Sequence, residues 1–184
     1  MNAKNYNDGL VLKELKMGNL DAFNTVFDYY YGDILHYVYR LSNSNMTMAE
    51  DVTQKVFMNF WTHRNNHNTQ SQIKPLLLRM ARNAWIDESK KEATRKARQF
   101  DESKSTTMVE ESPNTNAEKS ELKSAVDKAV DLLEEPVREV FVLIRYHNLK
   151  YAEASELLNI SVKTVEARMS RAHKELRITL KDFI

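Results

Sequence analysis

The residues best suited to binding chemistry lie near the carboxyl end of the chain, between Lys150 and Lys174. Their spacing predicts a short helix over Tyr151–Leu158, a tight turn and a longer helix from Val162, which is the layout of a helix-turn-helix. Ser161 is a suitable N-cap for the second helix, because its hydroxyl can accept a hydrogen bond from a free backbone N–H of the first turn. Asn159 suits the turn, because asparagine tolerates left-handed backbone.

The second helix of this motif has an apolar face and a cationic face. Apolar residues recur at steps of three and four and predict the buried side: Val165, Met169, Ala172 and Leu176. The helix start, the opposite side and its flank offer cations, hydroxyls and a small residue: Ser161, Lys163, Thr164, Ala167, Arg168, Arg171 and Lys174. Long cations can reach phosphates or guanine edges and short side chains allow close approach, so this face favours DNA binding in a major groove. Any two packed amphipathic helices with a polar outer face would give a similar pattern, so the motif alone does not decide the matter.

Composition predicts the elements that must position this motif. The chain has 184 residues, with only three Gly and three Pro, and is rich in Leu, Ala, Glu and Lys, which favours helices throughout. Cysteine is absent, which excludes disulfides and thiolate zinc sites. The amino-terminal residues lack the apolar segment of a signal peptide, and the apolar runs are too short to span a bilayer, so we expect a cytoplasmic protein.

Charge is unevenly distributed although the net charge is only +1. Residues 74–98 hold eight Lys/Arg against three Asp/Glu, and residues 138–184 hold nine against six. Residues 99–123 between them hold three Lys/Arg against six Asp/Glu. Two basic segments separated by an acidic one suggest two contacts with a polyanion, although either segment alone could be an ordinary solvated surface.

The first half of the chain predicts a helical domain. An aromatic and aliphatic stripe from Ala22 to Leu41 has helical spacing and is more typical of a core than of a ligand pocket. Thr47 and Glu50 fit a capping box at the start of the next helix, AEDVTQKVFMNFW. That helix leaves four residues nearer the surface: Asp51, Gln54, Lys55 and Met58.

A polar loop at residues 63–72 precedes a long helix over residues 73–98. His63 and His67 are four residues apart, but the asparagine-rich setting and the lack of an HExxH glutamate argue against a metal site. The long helix offers basic side chains on successive turns, which suits a phosphate backbone. Trp85 could stack on a base, but a tryptophan within a helix more often packs in a core.

We therefore predict an all-α protein of two small helical domains. The first covers residues 1–98, a flexible acidic linker covers 99–116, and the second covers 117–184. The linker segment is rich in Ser, Thr, Glu and Asn and has no sustained apolar period. Pro136 falls in the first turn of a helix in the second domain, where it costs no helix hydrogen bond. The sequence leaves open whether the two domains pack together.

Four segments in order resemble the extracytoplasmic-function class of the sigma-70 family, the small bacterial initiation factors of RNA polymerase. They are GNLDAFNTVFDYYY, AEDVTQKVFMNFW, LLLRMARNAWID and the stretch from LLEEPVREVF to the end of the helix-turn-helix. Each is weakly specific, but a shared helical period would not reproduce polar positions such as Asp51, Gln54, Asn83 and Asp87. The match departs from the usual family pattern at Pro136, displaced by two positions, and at Asn159, where glycine is usual.

The resemblance implies a role for each surface. Contacts to core RNA polymerase are implied for Asp51, Gln54, Lys55 and Met58. Contacts to the −10 promoter element are implied for Arg79, Arg82, Asn83, Asp87, Lys90 and Lys91, with a flipped base captured by the loop at residues 63–72. Contacts to the −35 element are implied for Ser161, Lys163, Thr164, Ala167, Arg168, Arg171 and Lys174. An anti-sigma protein, often membrane-anchored in this family, is the expected inhibitor.

The resemblance implies no cofactor, no metal, no small-molecule substrate and no enzymatic activity. The alternative function is a stand-alone transcription regulator that binds duplex DNA through the same motif. No receiver-like strands or acidic phosphoacceptor pocket support it. A nucleic-acid enzyme is a third alternative, but the sequence offers no nucleophile and base pair, metal cluster or phosphate-binding glycine loop.

Overall fold

The computed structural model describes residues 7–99 and 117–181. Within these ranges the regular structure is entirely helical, as predicted. The α-helices are α1 (Asp8–Lys16), α2 (Leu20–Leu41), α3 (Met46–Thr62), α4 (Ile73–Gln99), α5 (Ala117–Asp131), α6 (Glu135–Arg145), α7 (Tyr151–Leu158) and α8 (Val162–Thr179), and a 3-10 turn spans Arg64–Asn66. The predicted linker at 99–116 lies outside the described residues except for Gln99, which ends α4, and the domain boundaries stay predictions.

Each of the first three helices begins with an asparagine N-cap, because a side-chain carbonyl can accept hydrogen bonds from the free N–H groups of a first turn. Asn7 caps α1 and Asn19 caps α2, the latter accepting from the backbone N–H groups of Asp21 and Ala22. Asn45 caps α3 and accepts from the N–H of Met48 at 3.0 Å. The predicted capping box at Thr47 is therefore wrong, because Asn45 begins the helix and places Thr47 inside the first turn.

The aromatic stripe of α2 forms core, as predicted. Val26, Ile34 and Val38 are fully buried, and α2 packs against both α3 and α4. Helix α4 buries Leu77, Leu78 and Ala81 on the side facing them. Trp85 is also buried, which supports packing rather than base stacking.

An interaction from α1 holds the start of α4. The Asp8 carboxylate accepts a hydrogen bond from the backbone N–H of Ile73 at 2.9 Å, which satisfies a free donor at the helix start. Gly9 lies so close to the loop that a Cβ there would approach the Thr69 carbonyl oxygen to 2.7 Å. The polar loop and the basic helix after it are thus positioned by the first residues of α1.

The second set of helices, α5 to α8, contains the helix-turn-helix, which is formed by α7 and α8. Helix α6 packs against α7 and α8, and Val140, Val142 and Leu143 are fully buried in this set. Pro136 lies in the first turn of α6, as predicted. The first set of helices, α1 to α4, packs against this second set, with α2 against α6 and α4 against α7. The buried residues of the two helical sets form one connected core.

Candidate nucleic-acid interface

The helix-turn-helix has the predicted geometry. Asn159 ends α7 in the left-handed region, with φ of 54°, and so turns the chain toward α8. Ser161 caps α8, since its Oγ accepts from the Thr164 N–H at 3.1 Å and lies 2.8 Å from the Thr164 hydroxyl. The four residues predicted for the inner face of α8 are all buried: Val165, Met169, Ala172 and Leu176.

The outer face of α8 is open to solvent. Ser161, Lys163, Ala167, Arg171 and Lys174 are exposed, and Thr164 and Arg168 are half-buried on the flank. The helix thus presents cations, hydroxyls and one small side chain on a continuous surface that can enter a major groove.

Arg171 is held in place on this surface by two carboxylates. Its Nη1 lies 2.7 Å from Glu134, and its Nε donates to Glu175 at 2.7 Å. The hydrogen bond to Glu175, followed by the charge of Glu134, raises the pKa of the Arg171 guanidinium. Both pairs are open to water, so the side chain can exchange them for a phosphate at small cost.

Helix α4 presents a second basic surface. The exposed residues among those predicted for the −10 contact are Arg79, Asn83, Asp87, Lys90 and Lys91. Arg95 and Lys96 extend the cationic surface along the same helix, where Lys96 pairs with Glu92 at 2.8 Å. Such a row of cations suits a phosphate backbone.

Arg82 differs from its neighbours on α4. Its Nε donates to the Glu139 carboxylate of α6 at 2.8 Å, and its side chain is about three-quarters covered. The same Glu139 oxygen accepts from the Tyr37 hydroxyl of α2 at 3.2 Å. Burial, and then the Glu139 charge, raises the pKa of Tyr37 well above its usual value, so this hydroxyl stays protonated and donates. One residue predicted to contact the promoter is therefore occupied by the second helical set.

A second charged cluster lies between the helical sets and was not predicted from the sequence. Arg40, at the end of α2, is almost fully buried and forms ion pairs with Asp127 and with Asp131, the latter at 3.0 Å. Burial alone would lower the pKa of Arg40, but the two carboxylates more than offset this and raise it. The Tyr146 ring lies 5.5 Å from the guanidinium carbon. The signals in the sequence were one cation and one anion among apolar neighbours, Arg40 in α2 and Glu139 in α6.

The predicted polymerase-binding residues of α3 lie on its outer surface. Asp51, Gln54, Lys55 and Met58 are all exposed, and the Met58 side chain is unusually open for a large apolar residue. Lys55 donates to Glu88 of α4 at 2.7 Å, and this hydrogen bond lowers the pKa of Glu88. Helix α3 is thereby tied to the basic helix.

The loop before α4 was predicted to be polar throughout, but it contains one buried side chain. His67 is buried, its ring stacks on Phe60 at 4.6 Å, and its Nε2 lies 2.8 Å from the Phe60 carbonyl oxygen. Burial lowers the pKa of His67. His63 is exposed, so the two histidines have different surroundings, and the described ranges contain no group of three or more residues able to hold a metal ion.

A helix-turn-helix with an exposed cationic second helix, joined to a second basic helix in an all-helical fold, defines a DNA-binding transcription protein. Residues 26–105 match the family model of sigma-70 region 2, and residues 123–176 match that of sigma-70, region 4. The chain belongs to the sigma-70 family, in its extracytoplasmic-function class.

Two curated relatives come from Bacillus subtilis. The chain is 26% identical over 159 residues to the ECF RNA polymerase sigma factor SigM, covering 85% of this chain and 93% of SigM. It is 28% identical over 182 residues to the ECF RNA polymerase sigma factor SigW, covering 93% of this chain and 95% of SigW.

Two solved structures share the fold. One is the sigma factor RpoE in complex with the anti-sigma factor NepR from Bartonella quintana, with a TM-score of 0.71, 21% identity, and coverage of 86% of this chain and 96% of that one. The other is CnrH in complex with the cytosolic domain of CnrY, with a TM-score of 0.69, 23% identity, and coverage of 96% and 99%. Among the described helices, none combines the length and apolar character needed to cross a membrane.

Proposed function

We propose that this chain is an RNA polymerase sigma factor that binds core polymerase in the cytoplasm and directs initiation at promoters with −10 and −35 elements. The observation that supports it most is the pair of basic surfaces on α4 and α8, one in each matched family region. The chain supplies binding and sequence choice rather than covalent chemistry, and polymerase performs the synthesis.

The two DNA-binding surfaces have separate roles in this proposal. Residues on α8 contact the −35 element, with Arg168 and Lys163 reaching base edges or phosphates and Ala167 allowing close approach. Residues on α4 contact the −10 element, where Asn83 and Asp87 can hydrogen-bond to bases and Lys90 and Lys91 neutralise phosphates. Binding of both regions to one polymerase makes the second DNA contact effectively intramolecular.

The outer surface of α3 is the proposed contact with core polymerase. Asp51 and Gln54 offer polar groups beside the exposed thioether of Met58, a combination typical of an interface centre with a polar rim. An anti-sigma protein is the proposed inhibitor, because the two solved structures described above are complexes with another protein, and one of those proteins is described as an anti-sigma factor.

The test is size-exclusion chromatography of the purified chain with core RNA polymerase that lacks its own sigma factor. We expect the chain to co-elute with polymerase. The double variant Asp51→Ala/Gln54→Ala should lose most of this co-elution. It should keep its helical circular dichroism, because both side chains are exposed and lie outside the hydrophobic core. A matched control, Asp28→Ala/Asn24→Ala, changes two exposed residues of α2 and should co-elute normally.

A folded chain that fails to co-elute with polymerase but binds duplex DNA by itself would instead be a stand-alone regulator. Normal co-elution of the Asp51→Ala/Gln54→Ala variant would remove the α3 assignment and leave the rest of the proposal standing.

A further inference from the structure

Glu134 lies at the start of α6 but does not use its side chain to cap that helix. Its backbone carbonyl accepts from the N–H groups of Val137 and Arg138 at 2.9 Å and 2.8 Å, whereas its carboxylate makes no capping hydrogen bond. The carboxylate lies instead 2.7 Å from Nη1 of Arg171, on the outer face of α8. A residue whose backbone is fixed by one helix thus places a negative charge beside the helix that contacts DNA in the proposed function.

A second carboxylate meets the same guanidinium from within α8. Glu175 lies one turn after Arg171 and accepts from its Nε at 2.7 Å. The two carboxylates contact different nitrogens, so together they restrict the orientation of the guanidinium plane more than either contact would alone. The Arg171 side chain remains 54% exposed, so its other N–H groups can still reach a ligand.

The local charge determines which ligand suits Arg171. The two carboxylates more than balance the positive charge of the guanidinium. A phosphate could replace either carboxylate at small cost, but both carboxylates would stay beside the phosphate and repel it. A guanine edge carries no full charge and offers O6 and N7, which a guanidinium can bind through a pair of N–H groups. The arrangement therefore favours a base over a phosphate.

We propose that Glu134 is a positioning residue for sequence recognition by α8: together with Glu175, it holds Arg171 away from phosphates and in position for O6 and N7 of one guanine. Lys163 and Lys174 are exposed on the same helix and remain available to neutralise phosphates. The inference rests on the proposed function in requiring that α8 bind duplex DNA, which α8 of a stand-alone regulator would also do.

The test is the selection of −35 sequences by holoenzyme reconstituted from core polymerase and the whole chain. A pool of duplexes with a randomised −35 region is bound, and the bound molecules are sequenced to give the base preference at each position. The unsubstituted protein should prefer guanine at one position by about tenfold or more, as expected of a bidentate contact. Arg171→Lys keeps the charge but lacks the planar fork, so it should lose this preference while total binding to the pool changes little.

Glu134→Gln keeps the shape of the side chain and removes its charge. Arg171 should then contact a phosphate more readily, so the guanine preference should fall by about threefold or more. The slope of log affinity against log salt concentration should become steeper by about one, because one phosphate contact is gained. The matched control is Glu135→Gln, which removes the same charge from the exposed neighbouring residue and should leave the guanine preference unchanged.

No guanine preference in the unsubstituted protein, or an equal preference in the Arg171→Lys protein, would overturn the proposal, because the fork would then read no base. Equal effects of Glu134→Gln and Glu135→Gln would also overturn it, since general charge rather than the pair with Arg171 would be responsible. Circular dichroism identifies a variant that is merely unfolded, which the loss of an exposed pair should not cause.

Failure of the proposed function gives a different result. If no holoenzyme forms, the same pool is bound to the chain alone. A guanine preference that is lost in the Arg171→Lys protein would then support this inference although the chain is not a sigma factor. Failure of both the holoenzyme and the chain alone to bind duplex DNA would overturn both proposals.

Discussion

Protonation of His147 should destabilise the folded protein. This residue follows α6, is 2% exposed, and has its ring 5.4 Å from Tyr37 and 5.9 Å from His36. Neither of its ring nitrogens has a hydrogen-bond partner among the described residues. Burial lowers the pKa of His147 from 6.5 to about 4, with Asp33 acting in the opposite direction and Lys74 and His36 adding to the decrease.

The sign and size of the effect follow from this difference in pKa. The folded state binds the proton less readily than the unfolded state, so the contribution to stability is fully present above about pH 6.5 and is lost as the pH falls toward 4. The complete loss is about 3 kcal/mol, from the change of roughly 2.5 pKa units, and about 2 kcal/mol of it should disappear between about pH 7 and pH 5.

The assay is urea unfolding at a series of pH values, comparing the protein with its His147→Leu variant. Leucine has a similar volume and cannot be protonated, so the variant should lose about 2 kcal/mol less stability over the same pH range. Carboxylates that titrate in both proteins cancel in this comparison. The control, His63→Leu, removes an exposed histidine and should keep the pH dependence of the unsubstituted protein. Equal losses in the protein and its His147→Leu variant would refute the reasoning, because His147 would then titrate alike in the folded and unfolded states.

Three further substitutions test the core, the turn and the DNA-binding surface. Phe60→Ala should lower the free energy of unfolding by about 3–5 kcal/mol in urea unfolding, because Phe60 is fully buried and its ring stacks on that of His67. A loss below about 1 kcal/mol would contradict this packing. Asn159→Ala should cost about 1–2 kcal/mol and Asn159→Gly much less, because the residue has positive φ; equal costs in thermal unfolding would argue against this turn geometry. Arg168→Ala should weaken holoenzyme binding to a −35 duplex by about 1–3 kcal/mol in a fluorescence titration, with co-elution with polymerase unchanged; parallel losses in both would make Arg168 structural.

The helix-turn-helix was predictable from the sequence because local interactions determine it. Ser161 caps α8 with its own hydroxyl, Asn159 supplies the left-handed residue, and the apolar face repeats at helical spacing. None of these features depends on distant parts of the chain. The exposure of most predicted DNA-binding and polymerase-binding residues follows from the same periodicity, whereas their roles depend on partners.

Errors arose where neighbouring residues compete for one role or where a partner is distant in sequence. Asn45 and Thr47 are both suitable N-caps, and the choice depends on where the preceding loop brings the chain into α3. His67 is buried because Phe60 lies beneath it, which a polar loop sequence does not indicate. The Asp8 cap of α4 joins residues 65 positions apart, so no local pattern could predict it.

The contact between the helical sets is defined by long-range pairs of this kind. A wholly apolar contact would gain stability in proportion to the area buried and would resist opening. Arg40, Glu139 and Arg82 instead form a contact that depends on each charge having its partner, so separation exposes groups that water can solvate. Since Arg82 lies on the proposed DNA-binding helix, its pair with Glu139 joins that helix to α6 through two charges rather than through an apolar contact.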